Sequence, residues 1–130
     1  MKLVLLASVF IFLTSEKCKN KKAVPAYDQC FKGRLEIKGG CMNYTIGIVQ
    51  GNMDTALYVP EWTDENTGKA YKKVFALDSK CNFPTTLNQG DEFYFTIDST
   101  YAMNCAVCMM YYPVPQKKIA IRVVTDPCTQ

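Results

Sequence analysis

Two stretches of the chain alternate apolar and polar residues with a period of two, the mark of half-buried β-strands. In residues 30–38, Phe31, Gly33, Leu35 and Ile37 alternate with Lys32, Arg34, Glu36 and Lys38. In residues 92–98, Phe93, Phe95 and Ile97 take one face and Tyr94, Thr96 and Asp98 the other, which places Phe93 and Phe95 in the core. Gly39-Gly40 ends the first stretch and suits a tight hairpin turn. Residues 41–50 follow as a second strand rich in β-branched residues, in which Gly47 marks a bulge or a close backbone approach. A third strand is predicted over residues 56–62 and a fourth over 69–77, separated by the dense turn signal at 64–68. Residues 82–91 read as a loop. Residues 105–112 are apolar on both faces and predict a buried strand, although the wider stretch 99–110 also admits a helical turn. Pro113-Val114-Pro115-Gln116 turns the chain, and residues 117–124 make the last strand. With about seven short strands and no amphipathic helix, the pattern predicts an all-β fold, a small antiparallel β-barrel or sandwich.

The N-terminus changes this picture. Behind Lys2, residues 3–13 form an unbroken apolar run of the length of a signal h-region. The run is too short to cross a bilayer, which needs about 20 apolar residues. Polar Thr14-Ser15-Glu16-Lys17 follows at once. The chain therefore divides into a secretory signal peptide at 1–15 (cleavage falling anywhere up to 18), a Lys-rich arm at 16–29 and a single disulfide-bonded β domain at 30–130. No second apolar run of transmembrane length occurs, so a soluble, extracellular mature chain is expected. The formal charge of +3 falls to +2 once Lys2 leaves, too weak to argue for nucleic acid. Lys17, Lys19, Lys21 and Lys22 form a solvated arm or a contact for an anionic surface such as sulfated glycan or lipid headgroups.

Seven cysteines follow the export signal into an oxidising environment, where disulfides are the default. Cys30, Cys41, Cys81, Cys105, Cys108 and Cys128 are the disulfide candidates. Cys18, in the Lys-rich arm, is the odd one: it leaves with the signal, stays unpaired, or links two chains as a disulfide-bonded dimer. Cys105 and Cys108 form a CxxC. It has neither the strand–helix setting of a thioredoxin-type motif nor the second CxxC of a zinc site. On a strand, that spacing points the thiols to opposite faces and so to two different partners; in a turn, the two can bond each other. No metal or cofactor is expected.

The chain has no histidine. That removes Ser-His-Asp and Cys-His nucleophilic catalysis, HExxH metalloproteases, and nucleases or phospholipases with a His base. Asp64 with Glu65, and Asp91 with Glu92, remain as carboxylate pairs for glycosidase-like work, but both sit at turns or strand starts, where acids are expected on structural grounds. A non-enzymatic protein is therefore expected. Asn43-Tyr44-Thr45 matches the N-glycosylation sequon. Trp62, beside a charged turn, reads either as a core anchor or as an exposed contact. Tyr111 and Tyr112, before Pro113, carry the same two readings. Trp62, Asp64, Glu65, Tyr111 and Tyr112 are thus the candidate partner contacts.

This layout is similar to that of secreted netrin-like or TIMP-like domains, which are exported, disulfide-bonded Greek-key barrels of the OB type. The resemblance implies a barrel. It does not carry over the inhibitory mechanism, because TIMP-like chains begin Cys-x-Cys and here the first cysteine sits in Glu16-Lys17-Cys18-Lys19-Asn20. The expected function is a secreted extracellular binding protein that presents loops such as 63–69 and 82–90 to a protein or glycan partner. Two alternatives stand beside it: a secreted effector (venom component or host-defence protein) and a cross-linked extracellular matrix component.

Overall fold

The computed structural model describes residues 29–128; the N-terminal run, the Lys-rich arm up to residue 28 and Cys18 with it lie outside the described residues. Seven strands form one sheet: β1 (Cys30–Lys38), β2 (Tyr44–Gln50), β3 (Val59–Thr63), β4 (Ala70–Leu77), β5 (Glu92–Ile97), β6 (Lys118–Ile119) and β7 (Ile121–Val124). Their order is β3-β4-β2-β1-β5-β7, and β6 pairs with β4. All pairings are antiparallel except that of β4 with β6.

The alternation in β1 places Phe31 and Leu35 in the main core, where they join Ile46 of β2, Phe75 of β4 and Phe93 and Phe95 of β5. A bulge at Glu36 then changes the face. Leu35 stands opposite Ile46 but Ile37 stands opposite Thr45, the very next residue of β2, which must point the other way. Ile37 accordingly belongs to a second, smaller cluster with Tyr71 and Val74 of β4, joined by Trp62 and Tyr112. The left-handed backbone at Lys73 (φ 51°) lets Tyr71 and Val74, three residues apart, share that cluster. Gly47 is a point of close approach: a Cβ there would lie 2.7 Å from Glu36 Oε1.

The last two strands are one segment interrupted at Ala120. Its first part runs along β4 and its second along β5. Bonds from Asp78 N to the Ile119 carbonyl and from Asp98 N to the Ala120 carbonyl, each 2.9 Å, make the two attachments. Ser79, fully buried, secures the junction: its hydroxyl donates to the Ile121 carbonyl at 2.7 Å and accepts from the Ile121 N–H at 2.8 Å. Ser79→Ala leaves both Ile121 groups without that partner. Orphaning a buried polar group costs about 1–3 kcal/mol, so a loss of about 2 kcal/mol is expected in urea unfolding. A loss below about 0.5 kcal/mol, the scale of an ordinary surface change, would mean that the hydroxyl is not what holds this junction.

Three departures from the sequence pattern bear on function. Gly39-Gly40 does not make a two-residue hairpin. Residues 40–42 form a 3-10 turn in which Cys41 and Met42, rather than the glycines, take positive φ (56° and 57°). The third strand starts at Val59, because Asp54 caps a short 3-10 turn at Thr55–Leu57 by accepting from Ala56 N. Above all, residues 105–112 are not a buried strand. Residues 102–117 contain neither helix nor strand and are mostly exposed. Pro113 and Pro115 lack the N–H that a ladder needs, and two disulfides draw the segment sideways onto other connections.

The disulfides are Cys30–Cys128, Cys41–Cys108 and Cys81–Cys105, each pair enclosing the next. All six candidate cysteines of the domain are thus used. Cys105 and Cys108 do bond to two different partners, although they lie on an irregular segment and not on a strand. Three intrachain disulfides accord with an oxidising compartment.

Candidate functional site

The connection between β1 and β2, residues 39–43, is built to receive the irregular segment that follows β5. A Cβ on Gly39 would collide with the Asn43 carbonyl and lie 2.8 Å from the Tyr112 ring; one on Gly40 would lie 2.8 Å from Met110 Sδ. The two glycines are therefore needed less for the turn than for what rests on it. Next to them Cys41 is bonded to Cys108. Asn43 then donates from Nδ2 to the Gly40 carbonyl at 2.9 Å and to the Met110 carbonyl at 3.1 Å, and its Oδ1 accepts from Lys80 Nζ at 2.9 Å. The second disulfide, Cys81–Cys105, ties the start of the segment to the 3-10 turn Lys80–Asn82.

Held in this way, the segment turns its apolar side chains outward. Met109 is 99% exposed, Tyr111 82%, Met110 57% and Met103 54%. Among the described residues the only other large apolar side chain in the exposed class is Val49. Exposed apolar residues grouped in one place mark contact surfaces, whereas single ones need no explanation. Methionine suits such a surface because its flexible, polarisable thioether adapts to varied partners. Beside the loop, Asn43, Lys80, Val107, Met109, Met110 and Tyr111 line an open groove of about 420 Å³.

The structure sorts the residues singled out from the sequence. Tyr111 donates to Glu65 Oε2 at 3.3 Å, so the exposed loop and the 63–69 turn meet. Tyr112 and Trp62, both partly buried, pack on the second cluster, and the Trp62 and Tyr71 ring centroids lie 6.2 Å apart. Asp64 is occupied within its own turn. It is 1% exposed, and its carboxylate accepts from Asn66 N (3.1 Å) and Thr67 Oγ1 (2.7 Å) to shape its own turn. The 82–90 loop is held by Phe83, buried in the main core, and by Lys38 Nζ, which donates to the Thr85 and Leu87 carbonyls.

The carboxylate pairs are likewise in structural use. Asp91 Oδ2 accepts from Asn88 N at 2.8 Å. The Lys32 ammonium, and with it the Arg34 guanidinium, holds the Glu92 carboxyl below the usual carboxylate range, the reverse of what a general acid needs. In the sequon, both donors of the Asn43 amide are engaged, and Thr45 is fully buried. No group of three or more metal-ligating side chains occurs among the described residues.

Of the residues that the structure gathers here, the sequence pattern had singled out Tyr111 and Glu65 but not Met103, Met109, Met110, Lys80 or the supporting role of the two glycines. One signal was present: Cys105, Cys108, Pro113 and Pro115 fall within eleven residues, a density of staples and ladder-breakers unsuited to a central strand. Comparisons with protein-family models, with curated proteins and with solved structures find no match to this chain.

Proposed function

We propose that the protein is a secreted, non-enzymatic extracellular binding module whose principal contact is the stapled loop, residues 102–112, with Glu65 at its margin. The carrying observation is the outward display of Met103, Met109, Met110 and Tyr111 on a segment fixed by two disulfides. Long irregular loops inside small domains are commonly functional, and a loop fixed in advance loses less conformational freedom when it binds. Export itself rests on the N-terminal apolar run and the disulfides. In this reading Asn43 serves as a clamp on the loop, since a glycan would take the place of one of its two amide hydrogens.

The reading takes the sheet as a small barrel of the OB type. It is supported by the way the β6–β7 segment pairs with β4 at one end and β5 at the other. The five barrel strands would then be β1, β2, β4, β5 and β6–β7. In OB barrels the loops after the first and fourth strands frame the binding face. Here those are residues 39–43 and 98–117, the same two connections that make up the stapled site.

The test is binding to an array of extracellular proteins and glycans, comparing the natural protein with a Met109→Asp/Tyr111→Asp double variant. Hot-spot side chains contribute about 2 kcal/mol or more, so any genuine ligand should bind the variant at least about 30-fold more weakly. Both residues are exposed, so the melting temperature is expected to stay within about 3 °C. Undiminished binding by the variant would remove the loop as the contact.

One observation supports a second reading, a matrix component. The six cysteines of the domain pair with one another, which leaves Cys18, if retained, with no cysteine partner in its own chain.

A further inference from the structure

The groove beside the loop is not purely apolar. Among the described residues its one charged lining residue is Lys80, and the chain fixes that residue from three sides. Ser79, before it, is bonded both ways to Ile121. Cys81, after it, is bridged to Cys105. The ammonium itself rests on Asn43 Oδ1 at 2.9 Å. An ammonium has three N–H donors, and this contact uses one. Among the described residues no carboxylate lies within ion-pairing distance of Lys80. Asp78 lines a neighbouring cavity of about 130 Å³ with Lys80 and Lys118 but makes no ion pair with either. Glu65 is not among the lining residues, and its carboxylate accepts from the Tyr111 hydroxyl. A lysine side chain normally gives up much rotamer freedom when it forms a contact. Here the fold has already restrained it, and has left the cation without a counter-ion at the edge of a methionine-lined groove.

We propose that this groove takes a peptide segment of a partner protein which sets an acidic side chain on Lys80 and an adjacent apolar side chain against Met109 and Met110. The inference rests on the binding-module reading and names the chemistry of its partner. Charge complementarity selects the acid, because Lys80 is the charged group of the groove and has donors to spare. The flexible thioethers select an apolar neighbour without demanding one particular shape. Asn43 serves both sides of the site, since it positions the Lys80 ammonium and the Met110 carbonyl together.

The probes are two capped peptides, acetyl-Gly-Ser-Leu-Asp-Leu-Ser-Gly-amide and the same peptide with Asn for Asp, so that the only carboxylate is the side chain. The readout is the methyl resonances of 13C-methyl-methionine protein, with core Met53 as the internal reference. The Asp peptide should shift Met109 and Met110 saturably and leave Met53 unmoved. A hydrogen bond to a charged group contributes about 1.5–3 kcal/mol, so the Asn peptide should bind at least about tenfold more weakly. Lys80→Gln should bring the Asp peptide down to the affinity of the Asn peptide, and Lys80→Arg should restore the difference. Equal binding of the two peptides would overturn the role of Lys80 while leaving the apolar contact of the loop intact. Absence of any shift at Met109 and Met110 would overturn the groove as a peptide site, with the array experiment still deciding whether the loop binds. If Lys80→Gln also displaced the Met53 methyl, the Lys80→Arg protein and the natural protein with the two peptides would carry the decision.

Discussion

Removing the outermost disulfide, by Cys30→Ala with Cys128→Ala, is expected to lower the stability of the domain by about 4–5 kcal/mol. The bond joins residues 98 apart in sequence. In the chain-entropy account, a cross-link closing a loop of about 100 residues restricts the unfolded ensemble by about 4.7 kcal/mol, against about 3.5 kcal/mol for the 24-residue separation of Cys81 and Cys105. Geometry makes the outer bond matter in the native state too. Cys30 is the first residue of β1, opposite Thr96 of β5, and Cys128 follows β7, which lies on the other side of β5. The bond therefore spans three neighbouring strands. Small domains are stable by about 5–15 kcal/mol in total, so this one change takes up a large share of the margin, and the melting temperature should fall by about 20 °C or more. Urea titration of the double variant against the natural protein measures it. A loss below about 1 kcal/mol would show that the strands hold the ends together without the bond.

Phe95→Ala comes second, with an expected loss of about 3–5 kcal/mol. Phe95 is fully buried, and its ring lies 5.5 Å from that of Phe31, 5.9 Å from Phe75 and 6.0 Å from Phe93. It is thus the ring shared by β1, β4 and β5. Its removal costs the transfer of the ring, the contacts with three other rings and the cavity left between strands whose positions are set by hydrogen-bond ladders. Phe95→Leu should cost clearly less, because it fills part of that space. If both variants cost the same small amount in denaturant unfolding, the surrounding rings collapse into the gap and the core is softer than its packing indicates.

The alternation of β1 and β5 was legible because each strand has one face on the main core and one toward solvent, so burial follows the period of two. The same logic failed at residues 105–112 for a definite reason. An apolar residue looks alike in sequence whether it is buried or displayed, and Met109-Met110-Tyr111 is displayed. The Glu36 bulge left no mark either, since Ile37 continues the alternation of Leu35 while facing a different cluster. Gly39-Gly40 was visible as a break, yet the pressure on those positions comes from Tyr112 and Met110, some seventy residues away. The disulfide set was legible as a list of six cysteines, but their pairing depended on which connections the sheet brings together.

That pairing has a consequence for how the protein is made. Among the six cysteines of the domain the bonds are nested, first with last, second with fifth, third with fourth. As the chain emerges during synthesis, Cys30 and Cys41 are the first of the six domain cysteines to appear, and neither is the other's partner. Any bond they form early must later be undone by thiol–disulfide exchange, on a scale of seconds to hours. β4 and β5 likewise wait for residues 118–124, which lie along both of them. The first thiols of the domain thus wait for the last, and biogenesis of this domain should depend on a disulfide isomerase more than its modest size would imply.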